Sequence, residues 1–223
     1  MLSTNIGNRA FFLSLFLQKQ CFCSILHDDC LHCCKEAEVN GKTDGLLLHI
    51  CCAPCGAGCV KRPELVSPQR KVELFFSNSN LDTAEEFEKR LAEVRKLAEF
   101  YHLKLTVDPY DHAAWLAAVA GLENEAEGGA RCRKCFEYNL ARAAAAAGNG
   151  AFATTLTVSP RKSSKVLFEV GGQWENFEKI DYKKQNGYLT GRNFALEQGY
   201  YRQNYCGCEF SRRQRETQEE KKL

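Results

Sequence analysis

Short apolar runs alternate with longer amphipathic stretches along this chain from residue 45 onward. Each run is continuous and bounded by turn residues, which is typical of a strand buried on both faces. The runs predict four strands, at residues 46–51, 72–76, 103–107 and 152–158. Apolar residues at helical spacing predict helices between them, at residues 83–98, 111–120 and 126–147. This alternation predicts the α/β class, with a parallel sheet and helices on both faces.

The same pattern divides the chain into three parts. Residues 44–211 are predicted to form one catalytic α/β domain of the nucleotide-hydrolase or HUP-like kind, with a cysteine-rich C-terminal extension packed on the sheet rim. Residues 1–43 include an apolar run that is too short to cross a bilayer, and we expect a poorly ordered extension there. Residues 212–223 are densely charged, and we expect a disordered tail.

The amino-acid composition says more about the chemistry of the protein than about its fold. A chain of 223 residues with 44% apolar residues can form an ordinary core without covalent cross-links. The net charge of +2 gives no global electrostatic case for nucleic acid, so any such surface would be local. The 13 cysteines are an odd number, which excludes complete internal pairing. The remaining explanations of the high cysteine count are metal binding, redox chemistry and reactive thiols.

Seven of these cysteines cluster at predicted turns in three parts of the chain. They are Cys51, Cys52, Cys55, Cys132, Cys135, Cys206 and Cys208. The first three follow a strand where a helix begins, and a helix N-terminus favours thiolate. Cys59 is expected to pack in the core, and the five cysteines of the first 34 residues are expected to take no part.

The cysteine pattern favours an iron–sulfur site over its alternatives. Four thiolates usually hold a cluster, and the turn after the first strand together with the later C-x-x-C would supply them. Structural zinc pairs two similar knuckles, a pattern that C-C-x-x-C does not match. A redox disulfide between Cys52 and Cys55 would leave the other motifs unexplained. Cys206 and Cys208 are either an extra ligand or a redox-active disulfide that relays electrons.

Five longer motifs occur in order along the chain. They are H-x-C-C-A-P-C from His49, E-G-G-x-R-C-x-x-C-F from Glu127, T-T-L-T-V-S-P from Thr154, D-x-K-K from Asp181 and Y-R-Q-x-Y-C-G-C-x-F-S from Tyr201. Together they cover roughly residues 45–211 and resemble the epoxyqueuosine reductase family of the QueH type. The resemblance implies reduction of epoxyqueuosine to queuosine in the anticodon wobble position of tRNA, the last step of queuosine biosynthesis. It also implies a [4Fe–4S] cluster with an additional iron, and no cobalamin.

The resemblance implies roles for the cysteines, which we state as hypotheses. Cys52, Cys132 and Cys135 are assigned to the cluster, and Cys51 and Cys55 to the neighbouring iron. Members of the family can carry aspartate at the position of Cys55, which is another metal ligand. We therefore also regard Cys55 as a candidate catalytic residue.

Polar residues that follow the other strands are candidates for binding the substrate, because ligands of parallel sheets bind beyond the carboxyl ends of the strands. Asp108 and Asp111 are predicted to orient or protonate it, although Asp111 could instead cap the next helix. Asn78 and Asn80 are predicted to bind hydroxyl groups, with turn formation as an equal alternative. The remaining predicted tRNA or substrate contacts are Thr157, Ser159, Arg161, Lys183, Lys184, Tyr201 and Arg202.

Two other functions are compatible with the sequence: a metal-bearing RNA-binding module without catalysis, and a tRNA sulfur transferase. The transferase normally needs a glycine-rich phosphate loop after the first strand, where Pro54 removes an amide donor. For the reductase we expect tRNA carrying epoxyqueuosine and an external electron donor as partners, and no membrane association. We expect a cytoplasmic location, because its thiolate chemistry requires a reducing compartment.

Overall fold

The computed structural model describes residues 45–61 and 70–220. Its strands are β1 (Gly45–Ile50), β2 (Lys71–Phe76), β3 (Lys104–Val107) and β4 (Ala151–Thr154). They form one parallel sheet in the order β3-β2-β1-β4. The register places Leu48 opposite both Leu74 and Ala153, so buried side chains form a row across the sheet. The predicted parallel sheet is confirmed.

Helices connect and cover these strands. They are α1 (Ala53–Val60), α2 (Ala84–Phe100), α3 (His112–Ala118), α4 (Ala130–Ala147), α5 (Ser164–Gly171), α6 (Gly187–Glu197) and α7 (Glu209–Glu220). Short polar side chains fix where three of them begin, since Thr83, Asp111 and Ser163 each accept a backbone N–H of the first turn. Within the described ranges, no helix is both long and apolar enough to cross a membrane.

Both faces of the sheet are covered, as predicted. The even-numbered residues of β1, such as Leu46 and Leu48, pack in one core with α1, α2 and Phe194 of α6. The opposite face carries Phe75 of β2 and Phe152 of β4, which pack with α4 and α5. Alternation of side chains along each strand therefore sends apolar groups into two separate cores.

Helix α1 is held against α6 by a very close approach of their backbones. A Cβ added at Gly191 would lie 2.1 Å from the carbonyl oxygen of Pro54, and one added at Gly58 would lie 2.3 Å from that of Gly187. Only glycine allows this contact, because any other residue would place an atom inside the neighbouring backbone. The packing of α6 thus fixes α1, whose first turn carries Cys55.

The fourth strand is shorter than its β-branched sequence predicts. It ends at Thr154, and residues Thr155–Val158 form a 3₁₀ turn. The side chain of Thr154 accepts the N–H of Leu156 at 3.2 Å, and the Thr157 hydroxyl donates to the carbonyl of Ile180 at 2.9 Å. Threonine side chains therefore satisfy polar groups that a longer strand would have paired.

The charged tail predicted to be disordered from residue 212 is helical as far as residue 220, because α7 runs through it. Phe210 anchors the helix, since it is buried with Trp115 and lies under the guanidinium of Arg131, 4.7 Å from its ring centre. Ion pairs one turn apart, such as Arg215 with Glu219 at 3.0 Å, support the exposed part. The predicted extension at residues 1–43 lies outside the described residues.

Candidate active site and metal centre

Three thiols meet at the turn between β1 and α1. The sulfur atoms of Cys51, Cys52 and Cys55 all lie within 4.8 Å of one another. Cys52 occupies the N-cap position of α1, and Pro54 stands in the first helical turn, where its missing N–H costs nothing. The chain folds in this way because a buried strand ends at residue 50 and a helix begins at residue 53.

The three thiols divide the charge unequally. Hydrogen bonds from the thiols of Cys51 and Cys55 lower the pKa of Cys52 well below its usual range, and Gln203 and Arg90 add to this effect against the opposing effect of burial. The same contact with Cys52 raises the pKa of Cys51 to about 12, and its thiol neighbours also raise the pKa of Cys55. The turn therefore favours the thiolate, the form that binds metal, at Cys52 rather than at its two neighbours.

Cys132 and Cys135 lie in the first turns of α4, as expected for a C-x-x-C motif. Gly128 donates its backbone N–H to the sulfur of Cys132 at 3.2 Å, so the Gly128-Gly129 pair before α4 brings the backbone close to this thiol. Burial raises the pKa of Cys132 and Cys135, and the nearby charge of Cys206 raises both further. Burial also raises the pKa of Cys208, to about 11.

A cavity of about 440 Å³ at the carboxyl end of the sheet joins these segments. The thiols of three motifs line it, namely Cys51, Cys52, Cys55, Cys135 and Cys206. Within the described chain, Cys132 and Cys208 are not part of the lining, and Cys208 packs instead with Trp115 and Phe210. Cys59 is fully buried in the core, as the sequence predicted.

Two cations face the thiols in this cavity. Arg90 of α2 is 3% exposed and pairs with Glu86 at 2.7 Å. Lys162 is half-buried in the loop after the 3₁₀ turn. Burial opposes its charge, yet thiolate charge at Cys206 and Cys51 raises the pKa of Lys162. Positive side chains thus compensate the negative charge that several thiolates would bring together.

The loop that carries Lys162 is held by the D-x-K-K motif. Lys183 donates to the carbonyl oxygens of Ser159 at 3.3 Å and Lys162 at 2.8 Å, and to the hydroxyl of Ser164 at 2.7 Å. Asp181 accepts from that hydroxyl at 3.0 Å. All three ammonium protons of Lys183 therefore have protein partners, and these contacts fix the loop that carries Lys162.

His49 is a fully buried member of the cavity wall. Its Nε2 lies 3.0 Å from the carbonyl oxygen of Ser77, and its Nδ1 lies 2.8 Å from the hydroxyl of Thr154. Burial lowers the pKa of His49 to about 4, so the ring is neutral, with Nε2 donating and Nδ1 accepting. In this state the ring fastens β1 to its two neighbouring strands.

Several predicted substrate residues do lie at the cavity. They are Asn78, Asn80, Ser159, Arg161 and Arg202. The amide of Asn78 is already engaged, because it donates to the carbonyl of Ile50 at 3.0 Å. The Asn78 side chain therefore ties the end of β2 to the end of β1, whereas Asn80 and Ser159 keep polar groups at the wall.

Both carboxylates predicted to be catalytic lie outside the lining. Asp108 accepts the Ser77 hydroxyl at 2.6 Å and forms a two-pronged ion pair with Arg142. Asp111 caps α3 by accepting the N–H of Ala114 at 2.9 Å. The strand ends do converge as predicted, but the two carboxylates form hydrogen bonds and ion pairs with neighbouring protein groups.

Thr157, Lys184 and Tyr201 are likewise absent from the part of the wall that the structure describes. Tyr201 donates its hydroxyl to Glu86 at 2.9 Å, and Lys184 begins a short 3₁₀ turn. The sequence points to Lys162 only as one residue of a basic surface for phosphates, and it does not single out Arg90. Arg90 gave one usable signal, since it falls on the apolar stripe of α2 next to Phe87 and Leu91, where a charged residue needs a buried partner.

Comparison with known proteins agrees with this constellation. A family model described as epoxyqueuosine reductase QueH matches residues 46–214. A protein of that name from Thermotoga maritima is 34% identical over 177 residues, which cover 74% of this chain and 89% of the relative. Another from Streptococcus pyogenes serotype M1 is 32% identical over 192 residues, 79% of this chain and 74% of the relative. The chain therefore belongs to the epoxyqueuosine reductase QueH family.

Proposed function

We propose that this chain is an oxidoreductase that reduces epoxyqueuosine to queuosine in the anticodon wobble position of tRNA, the last step of queuosine biosynthesis. One observation carries the proposal beyond family membership: thiols from three separate motifs face a single cavity at the sheet rim. Converting an epoxide to an alkene consumes two electrons and two protons and releases water. A site for this reaction needs ligands for a redox-active metal group, together with charges that stabilise the departing oxygen.

The residues present fit a thiolate-bound metal cofactor. Clustered thiols are the donors that iron–sulfur clusters use, and the buried Nη2 group of Arg90 has no hydrogen-bond partner within the described ranges, as expected beside an anionic ligand. We assign Cys52, Cys132, Cys135 and Cys206 to a [4Fe–4S] cluster, with no cobalamin. Cys51 and Cys55 are assigned to an additional iron. When bound, the cluster supplies single electrons and the iron supplies a Lewis acid for the epoxide.

The choice of Cys206 over Cys208 as the fourth ligand rests on where each side chain lies. Cys206 faces the cavity, and its charge acts on Cys132, Cys135 and Arg90. Cys208 is 8% exposed and packs against aromatic rings. In this assignment Cys208 stabilises the chain just before α7, and it neither binds iron nor forms a disulfide.

The chain's own polar groups would bind and orient the tRNA. Lys162 places its ammonium in the same cavity as the thiols, where it favours negative charge developing on oxygen. Asn80 and Ser159 offer groups for substrate hydroxyls at the wall. The cavity is also lined by three arginines that suit backbone phosphates, namely Arg161, Arg202 and Arg215. The exposed ring of Tyr188 suits stacking on a base.

Nucleoside analysis of tRNA tests the reaction directly. In cells whose only epoxyqueuosine reductase is this protein, deletion of its gene should make epoxyqueuosine accumulate and queuosine disappear. Cys135→Ala should reproduce the deletion, whereas Cys59→Ala, a substitution in the core, should restore queuosine. Unchanged queuosine in the deletion strain would disprove the assigned substrate.

Anaerobic purification tests the cofactor and separates the reductase from an RNA-binding module without catalysis. We expect a coloured protein with iron and acid-labile sulfide, an absorption that Cys135→Ala abolishes and Cys59→Ala preserves. A colourless protein that contains zinc alone and binds tRNA without converting it would favour the module. A sulfur transferase is disfavoured, because Pro54 stands where a phosphate loop needs an amide. We also propose a cytoplasmic location and an external electron donor, in keeping with oxygen-sensitive thiolate chemistry.

A further inference from the structure

The chain between α6 and α7 brings Cys206 to the cavity without a helix or strand of its own. We call residues 200–208 the C-terminal cysteine segment. Its backbone is tied at Gly207, whose carbonyl accepts the N–H of Asp82 at 3.0 Å. At Cys206 the partners are side chains: Arg90 donates from Nη1 to the Cys206 carbonyl at 3.1 Å, and the Cys206 N–H donates to the Ser211 hydroxyl at 3.0 Å. The position of this thiol therefore depends on an arginine from α2.

Arg90 is the centre of a buried polar network. Its Nε donates to Glu86 at 2.7 Å, and its guanidinium lies 5.7 Å from the centre of the Tyr205 ring. The other oxygen of Glu86 accepts the Tyr201 hydroxyl at 2.9 Å. One Arg–Glu pair on α2 thus contacts the segment at Tyr201, Tyr205 and Cys206.

Stability alone does not explain an ion pair in this place. Burying two charges costs about as much as their attraction returns, and apolar side chains of similar volume often do as well or better. Among the described residues, the buried Nη2 group of Arg90 has no hydrogen-bond partner, and Arg90 lines the cavity together with Cys52 and Cys206. Negative charge at Cys52 and at Glu86 raises the pKa of Arg90 against the opposing effect of burial.

We propose that Arg90 is a positioning residue of the metal site: it fixes the Cys206 thiol at the cavity and holds a permanent positive charge beside the sulfurs of Cys52 and Cys206. The second half rests on the proposed function, because it requires a bound cluster. The first half does not, since the contacts that fix Cys206 belong to the protein itself.

Alkylation of the metal-free, reduced protein tests how Arg90 holds the segment. Iodoacetamide pulses, with mass spectrometry of the Cys206 peptide, would give the rate for wild type and for Arg90→Gln. We expect about tenfold faster modification in the variant, because a charge-assisted hydrogen bond is lost. Lys89→Gln is the matched control. Lys89 directly precedes Arg90 and forms an exposed ion pair with Glu85, four residues earlier, just as Arg90 pairs with Glu86. Equal rates in all three proteins would overturn this half.

Arg90→Lys keeps the experiment decisive if Arg90→Gln does not fold, as judged by circular dichroism. Lysine preserves the charge beside Glu86, but its compact ammonium replaces the planar guanidinium fork that joins Glu86 to the Cys206 carbonyl. Its Cys206 should also be alkylated faster than in wild type, and an unchanged rate in a folded Arg90→Lys protein would again overturn the proposal.

The midpoint potential of the reconstituted protein tests the charge. Arg90→Gln should shift the potential to more negative values, because loss of a buried positive charge disfavours the added electron. Arg90→Lys should restore much of the shift, and Lys89→Gln should show none. An iron-loaded Arg90→Gln protein with the wild-type potential would overturn this half. If wild type binds no iron, the proposed function fails, while the alkylation rates still decide whether Arg90 positions Cys206.

Discussion

The two sides of the thiol cavity are built in different ways. At the turn between β1 and α1, the main chain places Cys51, Cys52 and Cys55, because a strand ends and a helix begins there. The C-terminal cysteine segment, by contrast, has no regular structure and is held by a backbone hydrogen bond at Gly207 together with side chains such as Arg90 and Glu86 of α2. Its contact with Arg90 joins residues 116 positions apart.

This difference has a physical consequence. Hydrogen bonds within a sheet or helix form a cooperative ladder, so one altered side chain leaves the turn in place. A segment held by separate side-chain contacts loses its geometry when one buried polar partner is removed. We therefore expect the C-terminal side to be the more sensitive to single substitutions and the more mobile in the absence of metal.

The largest effect should come from replacing one of the two C-terminal thiols. Cys206→Ala should abolish most of the iron–sulfur absorption, because it removes a proposed ligand. Cys208→Ala is the matched variant, two residues away, and should retain the absorption. Iron, sulfide and visible spectra after anaerobic reconstitution would measure both. Equal loss in the two variants would mean that the two thiols are not distinguished by their position.

A second test concerns Arg131, which supports the C-terminal side from α4. It is 1% exposed, donates to the carbonyl of Glu123 at 2.9 Å and lies over the Phe210 ring. Arg131→Gln should lower the free energy of unfolding by about 3 kcal/mol, because buried charge-assisted hydrogen bonds are lost. Arg133→Gln, an exposed pair with Glu169, should change it by less than about 1 kcal/mol. Urea unfolding of both variants would check this, and similar losses would argue against a buried support.

A third test concerns the turn between β1 and α1, which the contact between α1 and α6 holds in place. Gly191→Ala should lower the free energy of unfolding by about 2 kcal/mol, because the new methyl group would press on the Pro54 carbonyl. Gly45→Ala is the control, since among the described residues its added Cβ meets only the Lys71 carbonyl oxygen, at an ordinary 3.7 Å. Thermal or urea unfolding would measure the difference. A neutral Gly191→Ala would mean that α1 and α6 can separate freely, contrary to the comparison above.

The same contrast explains what could be predicted from the sequence. The strand, the helix start and hence the thiols of the first turn follow from local patterns of apolar and turn residues. The position of Cys206 does not, because it depends on Arg90, whose role appears only once α2 and the segment are packed together. The rule that strand ends converge correctly placed Asp108 near the rim. It could not show that Arg142, 34 residues later, would take that carboxylate.

The smallest expected effect concerns Asp111, which the sequence made a catalytic candidate and which caps α3 in the structure. Asp111→Ala should lower the free energy of unfolding by about 1 kcal/mol, the usual cost of losing an N-cap. Asp111→Asn should be nearly neutral, because asparagine caps helices equally well. Both variants should keep full epoxyqueuosine reduction when assayed below their unfolding transition. Loss of activity in a stable Asp111→Asn protein would return the carboxylate to the reaction, because asparagine preserves the cap and removes only the acid.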